Sequence, residues 1–205
     1  MFVTLEGMEG SGKSTLLAGL AERFRAEGRS VLCTREPGGS GLGRALRPLL
    51  LDSRSRVSAE AELFLFLADR AQHAEEVLRP ALEQGQVVLC DRYADSTIVY
   101  QGYGRGLDAD RLLLLNEMAI RGLWPDRTLI LDVPTELGLA RARRRNALNG
   151  DAVEEGRFEA EALRFHAAVR EGFLSWAERN AGRCTVLDAQ ASPEELLDAA
   201  WKALC

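Results

Sequence analysis

One motif near the N-terminus constrains the fold more than any other feature. Residues 7–14 read Gly-Met-Glu-Gly-Ser-Gly-Lys-Ser and match the phosphate-loop pattern G-x-x-x-x-G-K-[ST] at every required position. The apolar run 2–5 precedes the motif, and Leu17, Leu20 and Phe24 follow it at helical spacing. In this strand–loop–helix order, backbone N–H groups and the positive end of the helix surround a phosphate group. The sequence therefore predicts a nucleoside triphosphate site in an α/β fold.

The residues of this loop have different predicted roles. Lys13 places a positive charge near the β- and γ-phosphates and is a predicted catalytic residue, while the Ser14 hydroxyl is a predicted ligand of Mg²⁺. Lysine occurs in the chain only at Lys13 and Lys202, so a chance match to the motif is on the order of one in a thousand. The residues predicted to bind the nucleotide are Gly7, Met8, Glu9, Gly10, Ser11, Gly12, Lys13, Ser14 and Thr15.

Short apolar runs alternate with longer helical patterns along the chain. The predicted strands cover residues 2–5, 30–34, 87–90, 129–133 and 185–187. The predicted helices cover the segment after the phosphate loop, ending at Gly28, and residues 58–82, 108–122, 137–146 and 159–181, with a last helix beginning at Ser192. This alternation predicts a doubly wound α/β sheet, with residues 1–205 in a single domain.

Composition excludes several classes of protein. No run of about 18 apolar residues is present, so we expect no membrane partner. The chain has 26 Lys+Arg against 31 Asp+Glu, and a net charge of −5 argues against a nucleic-acid partner. The four cysteines and two histidines lack the spacing of a zinc site. The N-terminal residues show no targeting pattern, and we expect a cytoplasmic protein.

A phosphate loop occurs in motor proteins, in switch proteins and in kinases, and other features of the sequence must distinguish these three classes. A chain of 205 residues has little room for the added elements of a helicase, and its two lysines cannot form the guanine-reading motif of a small GTPase. A small-molecule kinase remains, and it needs a cationic site for its acceptor. Arg35 and Arg92 follow two predicted strands, where residues line the crevice of an α/β sheet, and Asp91 is placed to approach Mg²⁺.

Three further segments resemble bacterial thymidylate kinases. These segments are 34–39 (Thr-Arg-Glu-Pro-Gly-Gly), 91–97 (Asp-Arg-Tyr-Ala-Asp-Ser-Thr) and 100–106 (Tyr-Gln-Gly-Tyr-Gly-Arg-Gly), and the resemblance covers nearly the whole chain. It implies a P-loop kinase three-layer fold with a five-stranded parallel sheet flanked by helices. It also implies a homodimer that uses ATP and Mg²⁺ to phosphorylate dTMP to dTDP, a step that supplies dTTP for DNA replication.

The resemblance implies a role for each residue of the acceptor site. Arg92, also a predicted catalytic residue, would hold the dTMP 5′-phosphate with help from Arg35, and Phe66 would stack on thymine. Tyr100 would pack against the sugar. The residues implied to read the polar edge of the base are Arg70, Thr97 and Gln101.

The resemblance also implies a subtype in which a lid carries the catalytic arginines. Glu9 stands where some family members have a phosphate-loop arginine. It is also a predicted catalytic residue, and it would contact the 3′-hydroxyl or the Mg²⁺ shell. The catalytic arginines would then be Arg143 and Arg145, within a lid segment of about residues 141–157. Gly156 stands where the family often has an Asp, just before Arg157.

Two alternatives remain open from the residues alone. The first is a kinase of the same fold that acts on another nucleoside monophosphate or small metabolite. The second is a non-catalytic nucleotide-binding or nucleic-acid-associated module that uses the arginines of segment 141–145.

Overall fold

Five parallel strands form one sheet, and each overlaps one of the predicted apolar runs. The computed structural model describes residues 1–149 and 156–204, with only the backbone of Asn149. The strands are β1 (Phe2–Glu6), β2 (Val31–Arg35), β3 (Val87–Asp91), β4 (Arg127–Asp132) and β5 (Cys184–Asp188). Their order is β2-β3-β1-β4-β5, with every neighbouring pair parallel. The predicted five-stranded parallel sheet is confirmed.

Helices cover both faces of this sheet. Side chains of successive strand residues point to opposite faces, and β1 shows the result: Val3 and Leu5 pack into one buried cluster, while Phe2 packs into another. All five residues of β1 are buried. Such burial explains why the apolar runs lack polar alternation. The three-layer α/β prediction is confirmed.

Most of the helices agree with the predicted patterns. The helices are α1 (Lys13–Ala26), α2 (Gly41–Leu51), α3 (Ala59–His73), α4 (Arg79–Glu83), α5 (Ala94–Thr97), α6 (Ala109–Ile120), α7 (Thr135–Asn149), α8 (Leu163–Arg179) and α9 (Pro193–Leu204). The predicted helix over 58–82 is α3 and α4 joined by a π-helical stretch, Ala74–Leu78. Neither α5 nor the second π-helical stretch, Ile98–Gly104, which follows α5 directly, is among the predicted helices. No described helix is long and apolar enough to cross a bilayer.

The α2 helix was not predicted because its sequence contains helix-breaking residues. Gly41 and Gly43 lie in its first turn and Pro48 lies inside it. Ser40 compensates by accepting a hydrogen bond from the Gly43 N–H at 3.0 Å, which caps the helix. A tertiary position and a side-chain cap thus stabilise a segment whose intrinsic propensity is poor.

The register of the sheet brings three strand ends together. Asp91 at the end of β3 lies beside Leu5 of β1 and beside Arg35 at the end of β2. The phosphate loop leaves β1 at this same edge, so the loop, Arg35 and Arg92 converge. This is the edge at which open α/β sheets bind ligands.

A buried ion pair holds the segment after β3 against the rest of the sheet. Asp95, in α5, is fully buried and accepts hydrogen bonds from Arg183 at 2.8 Å, from the Trp176 indole N–H at 2.6 Å and from the Thr128 hydroxyl at 3.0 Å. These partners belong to β4, α8 and the turn before β5. The ion pair therefore joins the chain that follows Arg92 to the far half of the sheet.

We expect Asp95→Asn to lower the free energy of unfolding by about 3 kcal/mol, because it leaves Arg183 without its buried counter-charge. Asp198→Asn is the matched control. Asp198 pairs with Arg23 at 2.7 Å on the surface, and its loss should cost less than about 1 kcal/mol. Urea unfolding of both variants gives the two values, and equal losses would show that the Asp95 pair does not anchor the fold.

Candidate active site

A cleft of about 510 Å³ opens at the edge where β1, β2 and β3 end. It brings together most of the residues predicted from the sequence. Those that line it are Glu9, Gly10, Gly12, Lys13, Ser14, Thr15, Arg35, Phe66, Arg70, Asp91, Arg92, Thr97, Tyr100, Gln101 and Arg145. Phosphate-loop residues and acceptor-site residues thus share one cavity.

Three predicted loop residues lie beneath the cleft rather than on its wall. The Met8 side chain is buried in the hydrophobic core, and the Ser11 side chain is also buried. A Cβ atom on Gly7 would lie 2.5 Å from the carbonyl oxygen of Leu131. These side-chain positions shape the loop backbone, and nucleotide binding through that backbone stays a prediction.

The structure places only some of the arginines of α7 on the cleft. Arg141 and Arg145 are four residues apart, share one helix face and both line the cavity. Arg143 is exposed and does not line it, because two residues of helix turn its side chain away from that face. The catalytic role of Arg143 stays a prediction. Residues 150–155 of the predicted lid, 141–157, lie outside the described residues.

Lys13 is held by the loop in which it lies. Its ammonium group donates to the carbonyl oxygens of Gly7 and Met8, both at 2.9 Å, and to the Ser11 hydroxyl at 3.3 Å. Burial, together with repulsion from Arg92, lowers the pKa of Lys13 to about 8. Oxygens of a bound phosphate would replace the loop oxygens and add the negative charge that favours the ammonium form.

Two oxygen donors meet where Mg²⁺ was predicted. The Ser14 hydroxyl donates to Asp91 Oδ2 at 3.3 Å, and the buried Oδ1 of Asp91 has no hydrogen-bond partner among the described residues. One hydroxyl and one carboxylate suit Mg²⁺, which is commonly held by few protein ligands together with water and phosphate oxygens. The described part of the chain contains no cluster of three or more His, Cys, Asp or Glu residues that could hold a metal.

Glu9 joins the phosphate loop to the acceptor side of the cleft. Its Oε1 atom accepts hydrogen bonds from Arg92 at 2.9 Å and from the Tyr100 hydroxyl at 2.7 Å. Burial alone would raise the pKa of the Glu9 carboxyl, but Arg92 and Lys13 together hold this pKa below its ordinary value. Arg92 also lies over the Tyr100 ring, with its guanidinium carbon 4.9 Å from the ring centre.

Arg70 forms the floor of the other end of the cleft and is only 1% exposed. Its Nε donates to Glu36 at 2.8 Å. One terminal nitrogen donates to the Thr97 hydroxyl at 2.6 Å and to Asn116 at 2.7 Å. Because Thr97 accepts from Arg70, its own hydroxyl proton remains free to be donated elsewhere.

Glu62 is a functional candidate that the sequence analysis missed. It is fully buried in α3 and accepts a hydrogen bond from the Gln101 amide nitrogen at 2.7 Å. A signal for it exists in the sequence, since Glu62, Asp69 and His73 follow one another at spacings of seven and four residues, which places three polar side chains on one helix face. The residues that line the cleft without an individually predicted role are Glu36, Pro37, Arg47, Leu51, Ser96, Phe158 and Glu159, together with Arg141 of the predicted lid.

The phosphate loop packs directly against the start of α7. A Cβ atom on Gly10, whose φ is +71°, would lie 2.0 Å from the Gly138 carbonyl oxygen. A Cβ atom on Gly138 would in turn lie 2.8 Å from the Glu9 carbonyl oxygen. Two glycines therefore allow the loop backbone and the helix that carries Arg145 to come into contact.

Comparisons with known proteins agree on one family. Residues 5–200 match the family model described as thymidylate kinase. Thymidylate kinase from Nitratidesulfovibrio vulgaris (strain DSM 19637 / Miyazaki F) is 59% identical over all of this chain and 95% of its own length. That from Oleidesulfovibrio alaskensis is 56% identical over 97% of this chain and 94% of its own. The crystal structure of thymidylate kinase from Ehrlichia chaffeensis superposes with a TM-score of 0.79 at 32% identity, covering 100% of this chain and 98% of that one.

We expect Gly10→Ala to lower the free energy of unfolding by at least about 2 kcal/mol, since it combines a left-handed backbone position with a backbone clash. Gly182→Ala is the control, because a Cβ atom there meets nothing within 4 Å, and its effect should stay within about 0.5 kcal/mol. Denaturant unfolding measures both. A Gly10→Ala protein as stable as the control would refute the close contact between the loop and α7.

Proposed function

Since this chain belongs to the thymidylate kinase family, we propose that its cleft binds dTMP as acceptor and ATP with Mg²⁺ as donor. The reaction is the phosphorylation of dTMP to dTDP. The observation that carries the proposal is that Lys13 of the phosphate loop and Arg92 of the acceptor segment line the same cavity, joined through Glu9. Donor and acceptor phosphates would therefore meet between two cationic side chains.

Arg92 and Arg35 are the proposed ligands of the dTMP 5′-phosphate. The Arg35 side chain is exposed at the end of β2, lines the cleft, and makes no hydrogen bond or ion pair within residues 1–149 and 156–204. Arg92 is held by Glu9 and by the Ser96 hydroxyl at 3.3 Å. The guanidinium group of Arg35 therefore keeps its donors for a bound phosphate, and Arg92 provides a second positive charge beside it.

The far end of the cleft suits thymine. The Phe66 ring is partly buried and lines the cavity, so it offers a face on which a pyrimidine can stack. The Thr97 hydroxyl, which accepts from Arg70, is placed to donate to a base carbonyl such as O4. Tyr100, which donates to Glu9, would lie beside the sugar between these two ends.

The chemistry needs charge stabilisation more than proton transfer. A phosphate monoester has a second pKa of about 6, so the acceptor oxygen is already anionic at neutral pH and no general base is required. Mg²⁺ held by Ser14 and Asp91 would neutralise part of the triphosphate charge when bound. Lys13 and Arg145 would stabilise the charge that develops on the transferring phosphoryl group.

The lid is proposed to be segment 141–157 of a single domain, and its closure would exclude water that competes with dTMP as acceptor. Arg145 already lines the cleft and donates to Glu159 at 3.3 Å. Arg143 would reach the cleft only if α7 rotated about its own axis. Of the two proposed catalytic lid arginines, Arg145 is therefore the better supported.

A homodimer is proposed because three helices that pack side by side carry large exposed apolar side chains. The α3 helix packs against both α2 and α6. Exposed side chains on these three helices are Leu42, Leu49, Phe64, Leu114 and Met118, each between 43% and 67% exposed. Large apolar side chains exposed on neighbouring helices are typical of a protein interface. A cytoplasmic location and the absence of a nucleic-acid partner remain expectations from composition.

An acceptor panel tests the proposed function. ADP release is measured with ATP, Mg²⁺ and each of dTMP, dUMP, UMP, CMP, AMP and GMP. We expect dTMP to have the highest kcat/KM, because base stacking and the polar readers act together on it. A different preferred monophosphate would indicate another kinase of this fold. Turnover with none of them would favour the non-catalytic alternative.

We expect Arg145→Ala to lower kcat and kcat/KM for dTMP together, each by at least about tenfold, because a cation engaged mainly in the transition state affects both. Arg144→Ala is the matched control, since Arg144 is exposed one residue away and does not line the cleft. Steady-state kinetics of the two variants decide the matter. A normal kcat in Arg145→Ala would show that Arg145 is a solvated surface residue of α7 without a catalytic role.

A further inference from the structure

The side-chain amide of Gln101 is held in one orientation. Gln101 is 1% exposed, and its amide nitrogen donates to Glu62 Oε1 at 2.7 Å. A carboxylate only accepts hydrogen bonds, so it must face the NH₂ group of the amide and not its oxygen. The amide oxygen is therefore the atom that remains for a ligand, and it makes no hydrogen bond among the described residues.

Glu62 is itself fixed by two arginines. Arg105 donates to both of its oxygens, at 3.2 and 3.1 Å, and Arg157 donates to Oε2. Arg157 also donates to the Leu50 carbonyl oxygen at 2.9 Å, and Arg105 pairs with Glu161 at 2.6 Å. Rotation of Glu62 away from Gln101 would break these ion pairs in a buried setting, where an uncompensated charge is costly.

The fixed amide presents an acceptor to the base. Thymine carries a proton at N3, and cytosine carries a lone pair there. An acceptor at this position pairs with thymine and leaves two facing lone pairs with cytosine, and buried polar groups left unpaired in this way are a strong source of specificity. We propose that Glu62 is a positioning residue that orients the Gln101 amide and so makes the site select thymine over cytosine. This inference rests on the proposed function.

The test compares two nucleotides that differ only at the Watson–Crick edge. dTMP and 5-methyl-dCMP share the methyl group, the sugar and the phosphate. Their kcat/KM ratio is measured in wild type, in Arg157→Met and in the double variant Glu62→Met/Arg157→Met. The double variant removes one charge of each sign, and Arg105 keeps Glu161 as its partner, so the charge balance of the cluster is retained. Arg157→Met alone controls for damage to the cluster.

We expect the ratio in Arg157→Met to stay within about threefold of wild type, since Gln101 keeps its acceptor. In the double variant the amide can turn its NH₂ group toward N3 of cytosine, so the preference for dTMP should fall at least about tenfold. A double variant with an unchanged ratio would overturn the role of Glu62. If wild type does not phosphorylate dTMP, it is the proposed function that fails.

A second variant keeps the test valid if the double variant does not fold, which far-UV circular dichroism would show. Glu62→Asp keeps the negative charge beside both arginines but is one methylene shorter and withdraws the carboxylate from Gln101. It should lower the same kcat/KM ratio, with a smaller change in kcat for dTMP than in the ratio. An unchanged ratio in a folded Glu62→Asp protein would equally refute the proposal.

Discussion

The contact between Arg92 and Glu9 is the interaction on which the site depends. It joins the residue after β3 to the loop after β1, two strands that are neighbours in the sheet, at a distance of 2.9 Å. Arg92 has a φ of 69°, an unusual conformation for a residue other than glycine. Glu9, Lys13 and Arg92 form an alternating set of charges, and each lies close enough to change the pKa of another. Neutralising Glu9 would leave two cations facing each other in a buried cleft.

Under the proposed function, buried polar groups that are already paired would select the ligand of the cleft. Arg70 is satisfied by Glu36, Thr97 and Asn116, and this pairing leaves a donor on Thr97. Glu62 in the same way leaves an acceptor on Gln101. Burying these charges costs stability that apolar side chains would not cost. A base bound here would meet hydrogen-bonding groups of fixed polarity. The polarity of the pocket is thus determined one shell of residues away from the ligand.

The sequence could predict what is local in the chain. The phosphate loop, the five strands and the capped start of α9, where Ser192 accepts from the Glu195 N–H at 3.3 Å, all follow from contiguous residues. The α2 helix could not be predicted, because its glycines and proline oppose helix formation. Glu62 could not be paired with Gln101, 39 residues away, without the packing of α3 against the segment after β3. The resemblance to a known family predicted the acceptor residues that line the cleft. Whether the Arg143 side chain reaches the cleft depends on the rotation of α7 about its axis, which the sequence does not give.

A crystal structure with dTMP and a non-hydrolysable ATP analogue would show where the two phosphates and the base lie in the cleft. We expect the 5′-phosphate of dTMP on Arg92 and Arg35, thymine against Phe66, and N3 within hydrogen-bond distance of the Gln101 amide oxygen. We also expect Lys13 to leave the carbonyl oxygens of Gly7 and Met8 for the triphosphate. Binding of dTMP in the reverse direction, with its base at Arg92, would contradict the proposed site, as would a Gln101 amide that turns its nitrogen to the base.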